Sequence, residues 1–233
     1  MEEDYIKKLY DTLIGTDADV SMCYYDKFYK KYKKNNHRRS KEIKVYTAKQ
    51  AIEQLCYQRY FNHGPYVKLW KKETIGNIRF PVGVGYEDMA TIYKYMANAN
   101  KIALLDKTLY YYRQRKGSTM RKKFSLKKLD RMHISEEILE FIKERYPDIE
   151  SAAIARLFLS NLQVIMELPY KKEYQNEWKV VKNNIRYNRK SVLMDKKAKK
   201  EIRIMAACSY MGMGTLKVLG VTYNFLINKN IKC

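Results

Sequence analysis

The chain has 233 residues, 46% of them hydrophobic, which suffices for one sizeable core or one core with a small satellite. Only 9 Gly and 4 Pro exclude a collagen-like or long disordered chain, so helices should dominate. A net charge of +22, from 47 Lys+Arg against 25 Asp+Glu, favours anionic partners: nucleic acid, an anionic membrane surface or a diphosphate. The cations lie in short dispersed runs such as Lys30-Lys31, Lys33-Lys34, Arg121-Lys122-Lys123 and Lys196-Lys197, a pattern that equally suits a solvated basic surface. Cys23, Cys56, Cys208 and Cys233 form no CxxC pair, and His37, His63 and His133 form no HExxH. A zinc site or disulfide framework is therefore not expected, and a reducing compartment fits best. Glu2, Glu3 and Asp4 stand where a basic leader region would, so no secretory leader is expected.

Residues 3–14 read as a helix, with Tyr5, Ile6, Leu9, Tyr10 and Leu13 at helical spacing. A turn at 16–19 leads to a buried strand at 20–25, and the basic stretch 26–46 suggests an exposed loop or hairpin before Val45. Thr47 begins a helix that places Ala51, Ile52, Leu55 and Cys56 on one face. Gly64-Pro65 ends that pattern, residues 66–70 are short and extended or turned, and 80–85 form a loop before a helix at 86–97. Strands at 102–105 and 109–113, linked by Asp106-Lys107-Thr108, suggest an antiparallel hairpin. Helices follow at 125–146, 149–167, 171–189 and 195–228; Ile134, Ile138, Phe141, Ile142 and Tyr146 carry the period of the first. Between residues 204 and 227 the one charge is Lys217, and the length would span a bilayer. Ser209, Thr215, Thr222, Asn224 and three glycines dilute it, so a helix pair broken near Gly212 and Gly214 is expected instead. The whole reads as a mixed α/β part at 1–120, followed by an all-helical region at 121–233.

On the 86–97 helix, Tyr86, Met89, Ala90, Tyr93, Met96 and Ala97 make one apolar stripe. Asp88 lies roughly 140° from its centre and Glu87 about 120° away on the other side, so neither carboxylate shares the buried face. Acidic residues in a first turn complement the helix dipole, which explains the pair on its own. A general base at the end of a loop over a cleft is the functional alternative, and Gly83 and Gly85 would let backbone approach a ligand closely.

The blocks around this helix have an order of their own. Pro65-Tyr66-Val67-Lys68-Leu69-Trp70-Lys71-Lys72, then Ile78-Arg79-Phe80-Pro81, then Gly85-Tyr86-Glu87-Asp88 are followed by Leu109-Tyr110-Tyr111-Tyr112-Arg113-Gln114-Arg115 with Gly117-Ser118. Together they resemble bacterial family 2 glycosyltransferases, in which a "KLY/W" segment, "IRFP", an "ED" pair and a "LYYYRxRxxS" stretch recur. Glu3-Asp4-Tyr5-Ile6-Lys7-Lys8-Leu9-Tyr10 resembles the helix after that family's metal-binding DxD, and Ala18-Asp19-Val20-Ser21-Met22-Cys23 the strand after that. The resemblance covers about residues 1–120.

The resemblance implies a partial GT-A-like α/β fold and an inverting single displacement in bacterial polysaccharide or glycan synthesis. Asp88 would be the general base, supported by Glu87. Arg113 and Arg115 would bind the leaving diphosphate, a guanidinium task. Trp70 and Lys68 would face the acceptor, though a buried Trp is more often core. The donor would be a nucleotide sugar such as a UDP-sugar, and the acceptor a saccharide or a lipid-linked one. The setting would be cytoplasmic, at or near the inner membrane face. The family also uses Mg²⁺ or Mn²⁺ on its DxD. That motif and the nucleotide-binding half are not recognised in this sequence, so a truncated or split enzyme, inactive alone, is the expectation. The rival readings are a basic nucleic-acid-binding protein, which the core-like spacing of the 22 tyrosines argues against, and a membrane-surface module built on the Lys-rich tail.

Overall fold

The structure, a computed structural model, describes residues 1–28, 42–114 and 124–220. It divides into two compact units. One takes Met1–Leu55, Arg59–Gly83 and Glu87–Lys122; the other takes Cys56–Gln58, Val84–Tyr86 and Lys123–Cys233. The division is therefore not a single cut along the chain.

The first unit is built on a four-stranded mixed sheet of order β2-β4-β1-β3, with β1 at Val20–Phe28, β2 at Ile43–Thr47, β3 at Lys68–Trp70 and β4 at Lys101–Arg113. The central pair β1 and β4 is parallel, and β2 and β3 flank it antiparallel. The first four residues of β1 are wholly buried, as a central strand covered on both faces requires. Edge strand β2 is mostly exposed. The sequence pattern stopped β1 at residue 25; the strand continues to Phe28 because β4 runs beside it to Arg113.

The expected hairpin at 102–113 is absent. Leu104 pairs with Met22 and Leu105 with Cys23, but Tyr24 pairs with Thr108 and Tyr25 with Tyr110. Asp106, Lys107 and Leu109 are extra residues in one continuous strand. Bulges of this kind break the alternation of side chains, which is why the sequence looked like two strands around a polar turn.

Helix α1 (Tyr5–Gly15) lays Tyr5, Leu9, Thr12 and Leu13 inward, while Ile6 and Tyr10 are exposed. Helix α2 (Ala48–Cys56) starts with a reciprocal cap: Gln50 N–H donates to Thr47 Oγ1 at 3.3 Å, and Thr47 N–H donates to Gln50 Oε1 at 3.0 Å. A short helix, α3, covers Lys72–Ile75. Helix α4 (Glu87–Ala97) departs from the one-stripe expectation. Met89 to Tyr93 and Tyr95 to Ala97 are all buried, so the helix is covered nearly all round, and Glu87, Asp88 and Lys94 are left out of the core.

The second unit is helical: α5 (Asp130–Arg145), α6 (Glu150–Glu167), α7 (Gln175–Met194) and α8 (Lys200–Cys208). Phe158, Ile165, Leu168, Val181, Ile185 and Leu216 are fully buried at its centre. The chain breaks at Gly212, whose φ is 117°, before a last described helix at residues 213–220. Thus 204–220 is not one continuous helix, and residues 221–227 of that apolar segment lie outside the described residues. The helical stretch Pro147–Glu167 is long and apolar enough to cross a membrane, but 67% of its apolar window is buried inside the protein.

Candidate active site

The loop before α4 is set by backbone geometry. Gly83 takes a φ of 80°, which glycine adopts freely. At Gly85 a side chain would meet the Lys127 carbonyl oxygen at 2.7 Å, so that position admits only a bare Cα. Tyr86 is left-handed at φ 60°, a conformation that costs a non-glycine residue about 1 kcal/mol or more and persists where surroundings enforce it. Tyr86 therefore lies outside the helix, contrary to its place on the expected stripe. Glu87 and Asp88 form the first turn of α4, where the helix dipole favours negative charge.

The two carboxylates differ. Glu87 is exposed, and Asp88 is half-buried, with Oδ1 accepting the Met89 N–H at 2.7 Å. The charge of Asp88 acts on two residues of the β3 region, Lys68 and Tyr66. Lys68 is buried, and its Nζ donates to the carbonyls of Gly64 at 2.6 Å and Asn62 at 2.7 Å. Burial pushes the Lys68 amine down to about 7 from 10.5, and Asp88 opposes that fall. Its bonds therefore turn inward, to the 62–64 turn. Tyr66 stacks on Tyr112 at 5.2 Å and tilts over Tyr110 at 4.9 Å, with Tyr25 edge-on at 5.6 Å. Burial first, then Tyr25, Tyr112 and Asp88, hold its hydroxyl well above the usual phenol range.

Trp70, two residues beyond Lys68 on the same strand, is half-buried and packs edge-on against Tyr95 of α4 at 5.5 Å. Phe80 meets the same ring at 6.0 Å, and the Tyr95 hydroxyl donates to the Ile78 carbonyl at 3.2 Å. The Trp70, Ile78–Phe80 and α4 segments are thus joined through Tyr95. Arg113 is exposed at the end of β4, opposite Phe28. Arg115 lies outside the described residues.

Asp17 and Asp19 stand two apart, the spacing of a DxD, but they do not fit a divalent metal. Asp19 Oδ2 accepts the N–H groups of Asn100 at 2.7 Å and Lys101 at 3.3 Å, and Oδ1 meets Lys71 Nζ at 3.0 Å. Burial raises the Asp19 carboxyl, but these donors outweigh it and hold the group below the usual carboxylate range. Asp17 pairs with Lys101 at 3.1 Å. Among the described residues, no group of three or more His, Cys, Asp or Glu side chains could hold a metal.

Pattern-reading missed three residues around Gly85 and Tyr86. Asp130 Oδ2 accepts the Gly85 N–H at 2.7 Å, and the Arg131 guanidinium lies 4.4 Å above the Tyr86 ring and donates to its hydroxyl. Glu167 holds Arg131 at 3.4 Å and also pairs with Lys128. Nothing local in the sequence marks them, because their partners lie about forty residues away.

No protein-family profile matches the sequence. The fold is similar to that of S. aureus TarS 1–349 solved in complex with UDP-GlcNAc, with a TM-score of 0.59 and 18% identity. The match covers 95% of this chain and 64% of that one. In sequence, an alignment of 141 positions that covers 54% of the chain is 29% identical to the glycosyltransferase GlyG of Streptococcus pneumoniae serotype 4 (strain ATCC BAA-334 / TIGR4). The chain spans 44% of GlyG's length. The protein is thus homologous to a glycosyltransferase and shares the fold of a protein solved with a nucleotide sugar.

Proposed function

We propose that these 233 residues form the acceptor side of an inverting, family 2-like glycosyltransferase with a GT-A-like sheet. The observation that carries this reading is the half-buried Asp88, set at the first turn of an otherwise buried helix and electrically linked to Lys68 and Tyr66. The likeness to GlyG supports the transferase class, and the UDP-GlcNAc bound by TarS supports a UDP-sugar donor.

In this reading an acceptor hydroxyl attacks the sugar C1 as the C1–O bond to the nucleoside diphosphate breaks. The hydroxyl proton passes to Asp88, and the diphosphate leaves with both electrons of the broken bond. Glu87 supports Asp88 from the same turn. Arg113 and Arg115 meet the charge developing on the leaving group. Trp70 offers a ring to the acceptor, and Lys68 acts from beneath, holding the 62–64 turn beside Asp88. Mg²⁺ or Mn²⁺ would neutralise the diphosphate; Asp17 and Asp19, engaged by Lys101, Lys71 and backbone N–H groups, do not fit it. The acceptor is a saccharide or a lipid-linked one in glycan synthesis. The +22 charge suits work at the inner face of an anionic membrane.

The test joins the chain to a donor-binding glycosyltransferase half and measures transfer from a UDP-sugar panel with Mg²⁺. The chain alone is expected to give no transfer, the joined protein a measurable rate, and Asp88→Asn a loss of about 10²–10⁴-fold in kcat, the worth of a general base. Full turnover in Asp88→Asn would refute the assignment.

A further inference from the structure

Helix α7 carries Lys179, Lys182, Arg186, Arg189 and Lys190 against one acid, Glu177. Its inner stripe is Val181, Ile185, Asn188 and Val192, all buried. At 3.6 residues per turn, Lys179, Lys182, Arg186 and Lys190 fall together on the outer side, and all four are exposed. Helix formation does not ask for this arrangement. Opposite charges three or four apart support a helix, whereas Lys182 with Arg186 and Arg186 with Lys190 are like charges at that spacing. Among the described residues, none of the four has an ion-pair partner.

Exposed apolar side chains flank these cations on both sides. On one edge of the outer surface lie Val180, Tyr187 and Met194, seven apart and 42%, 86% and 71% exposed. On the other edge Arg189 fastens the single turn Ser209–Met211 to the helix. Its guanidinium lies 3.8 Å above the Tyr210 ring and donates to the Ser209 carbonyl at 3.1 Å. Tyr210 and Met211 are exposed as well. The α5 carboxylates on this side are already engaged: Glu136 accepts from Asn184 at 2.9 Å, and Glu140 pairs with Lys143 at 3.0 Å. Every residue of the patch belongs to the helical unit.

Unpaired cations select an anionic partner, and the apolar flanks decide which. A nucleic-acid backbone offers phosphates but no apolar phase for Met194 or Met211. A bilayer surface offers both, with headgroup oxygens above acyl chains. Tyrosine suits that boundary, its ring inward and its hydroxyl among the headgroups, and long basic side chains lay their stems along the apolar layer. The inner stripe of α7 is committed to the protein core, so the contact is shallow rather than spanning.

We propose that the outer face of α7, with Tyr210 and Met211, docks the protein on an anionic lipid bilayer surface. The inference deepens the membrane setting given above and rests on that setting, not on the chemistry of Asp88, so vesicle binding and turnover can fail separately.

The experiment is sedimentation of the 233-residue chain with vesicles of phosphatidylcholine, alone or with about 30% phosphatidylglycerol. Wild type is compared with Lys179→Gln/Lys182→Gln/Arg186→Gln/Lys190→Gln, with Tyr187→Ser/Met194→Ser, and with Lys27→Gln/Lys44→Gln/Lys72→Gln/Lys172→Gln. The last removes the same charge from exposed sites elsewhere. Wild type should sediment with the anionic vesicles and not with phosphatidylcholine. At about fivefold per cation, the α7 charge variant should bind about 10²-fold more weakly or worse, and the matched variant should stay within about threefold of wild type. Tyr187→Ser/Met194→Ser should lose about tenfold. All these sites are exposed, so the melting curves should superimpose. Tyr187→Trp adds a readout that needs no loss of binding: its fluorescence should shift to the blue on anionic vesicles beyond any shift of Trp70 and Trp178 in wild type.

Equal losses in the α7 and matched charge variants would overturn the proposal, because net charge alone would then drive binding. Full vesicle binding by Tyr187→Ser/Met194→Ser, with no blue shift in Tyr187→Trp, would overturn it in favour of a polyanion site such as one for nucleic acid. A random oligonucleotide bound with steep salt dependence would mark that outcome. Absence of wild-type binding to either vesicle would overturn it outright and leave the reading of Asp88 untouched.

Discussion

Replacing Lys68 by Met tests the electrostatics beside Asp88 most directly. The amine falls from 10.5 to about 7 because burial disfavours the ammonium, with Asp88 pulling the other way. A neutral amine has two N–H donors, matched by the two carbonyls at 2.6 and 2.7 Å; among the described residues, the third donor of the ammonium meets Asn62 Oδ1 at 3.4 Å. Since the folded protein releases this proton earlier than the unfolded chain, wild-type stability is lowest below pH 7 and rises as pH climbs towards 10.5. The full gap is worth about 5 kcal/mol, at about 1.4 kcal/mol for each tenfold in proton affinity. Between pH 7 and 9.5 the rise is about 3 kcal/mol. Lys68→Met removes this dependence and adds a fixed loss of about 1–3 kcal/mol from two stranded carbonyls. Urea unfolding of both proteins at pH 6 to 9.5, followed by near-ultraviolet circular dichroism, gives the difference with all other titrations in common. Wild type should gain on the variant as pH rises. A difference that stays constant within about 0.5 kcal/mol would mean that Lys68 is solvated or already satisfied as an ammonium, and would refute the reasoning.

Two further expectations concern the frame of the sheet unit. Thr47→Ala removes one half of the reciprocal cap on α2 and should cost about 1 kcal/mol in urea unfolding, with Thr47→Ser largely restoring it. Asp19 has its carboxyl held low by backbone amides and Lys71, so its contribution is present above the ordinary carboxylate range and lost as pH falls through its folded value. Asp19→Asn should therefore be less stable at pH 7 and show a shallower acid limb; parallel acid curves for the two proteins would contradict this.

Legibility from sequence followed the range of the interactions. The apolar run of residues 20–25 is a local feature and reappears as the buried start of β1; Gly64-Pro65 is local too, but it opens a short turn at Pro65–Val67, and α2 already ends at Cys56. The position of α4 was likewise legible, but not its surroundings. A one-stripe helix and a wholly covered one share the residues Met89, Ala90, Tyr93, Met96 and Ala97; Ile92 and Tyr95 become core only because other segments close over them. Lys68 looked like a reaching side chain because lysines seldom lie buried, and only the turn at Asn62–Gly64 explains where its charge is spent. The extra residues Asp106, Lys107 and Leu109 mimicked a turn because register is a property of two strands, not of one. Asp130 and Arg131 fall in the region from which no motif could be read, and their partners Gly85 and Tyr86 are 45 positions away.

The carboxylate pair itself remains the point where a bland and a chemical explanation compete, and the two make different demands on Glu87. If the pair serves only the helix dipole, either residue contributes about 0.3–1 kcal/mol, and the two should be nearly interchangeable. The structure makes them unequal: Asp88 is half-buried and its charge reaches Lys68 and Tyr66, whereas Glu87 is exposed. Glu87→Gln and Asp88→Asn should therefore separate in two independent measurements. On the chain alone, the Lys68 amine followed by NMR should titrate lower in Asp88→Asn, which loses the nearby negative charge, and should stay close to wild type in Glu87→Gln. In the joined enzyme, Glu87→Gln should keep at least about tenfold more kcat than Asp88→Asn, because support of a base costs less to lose than the base. If both variants shift Lys68 alike and lose activity alike, the asymmetry has no chemical meaning, and dipole complementarity is the better account of Glu87 and Asp88.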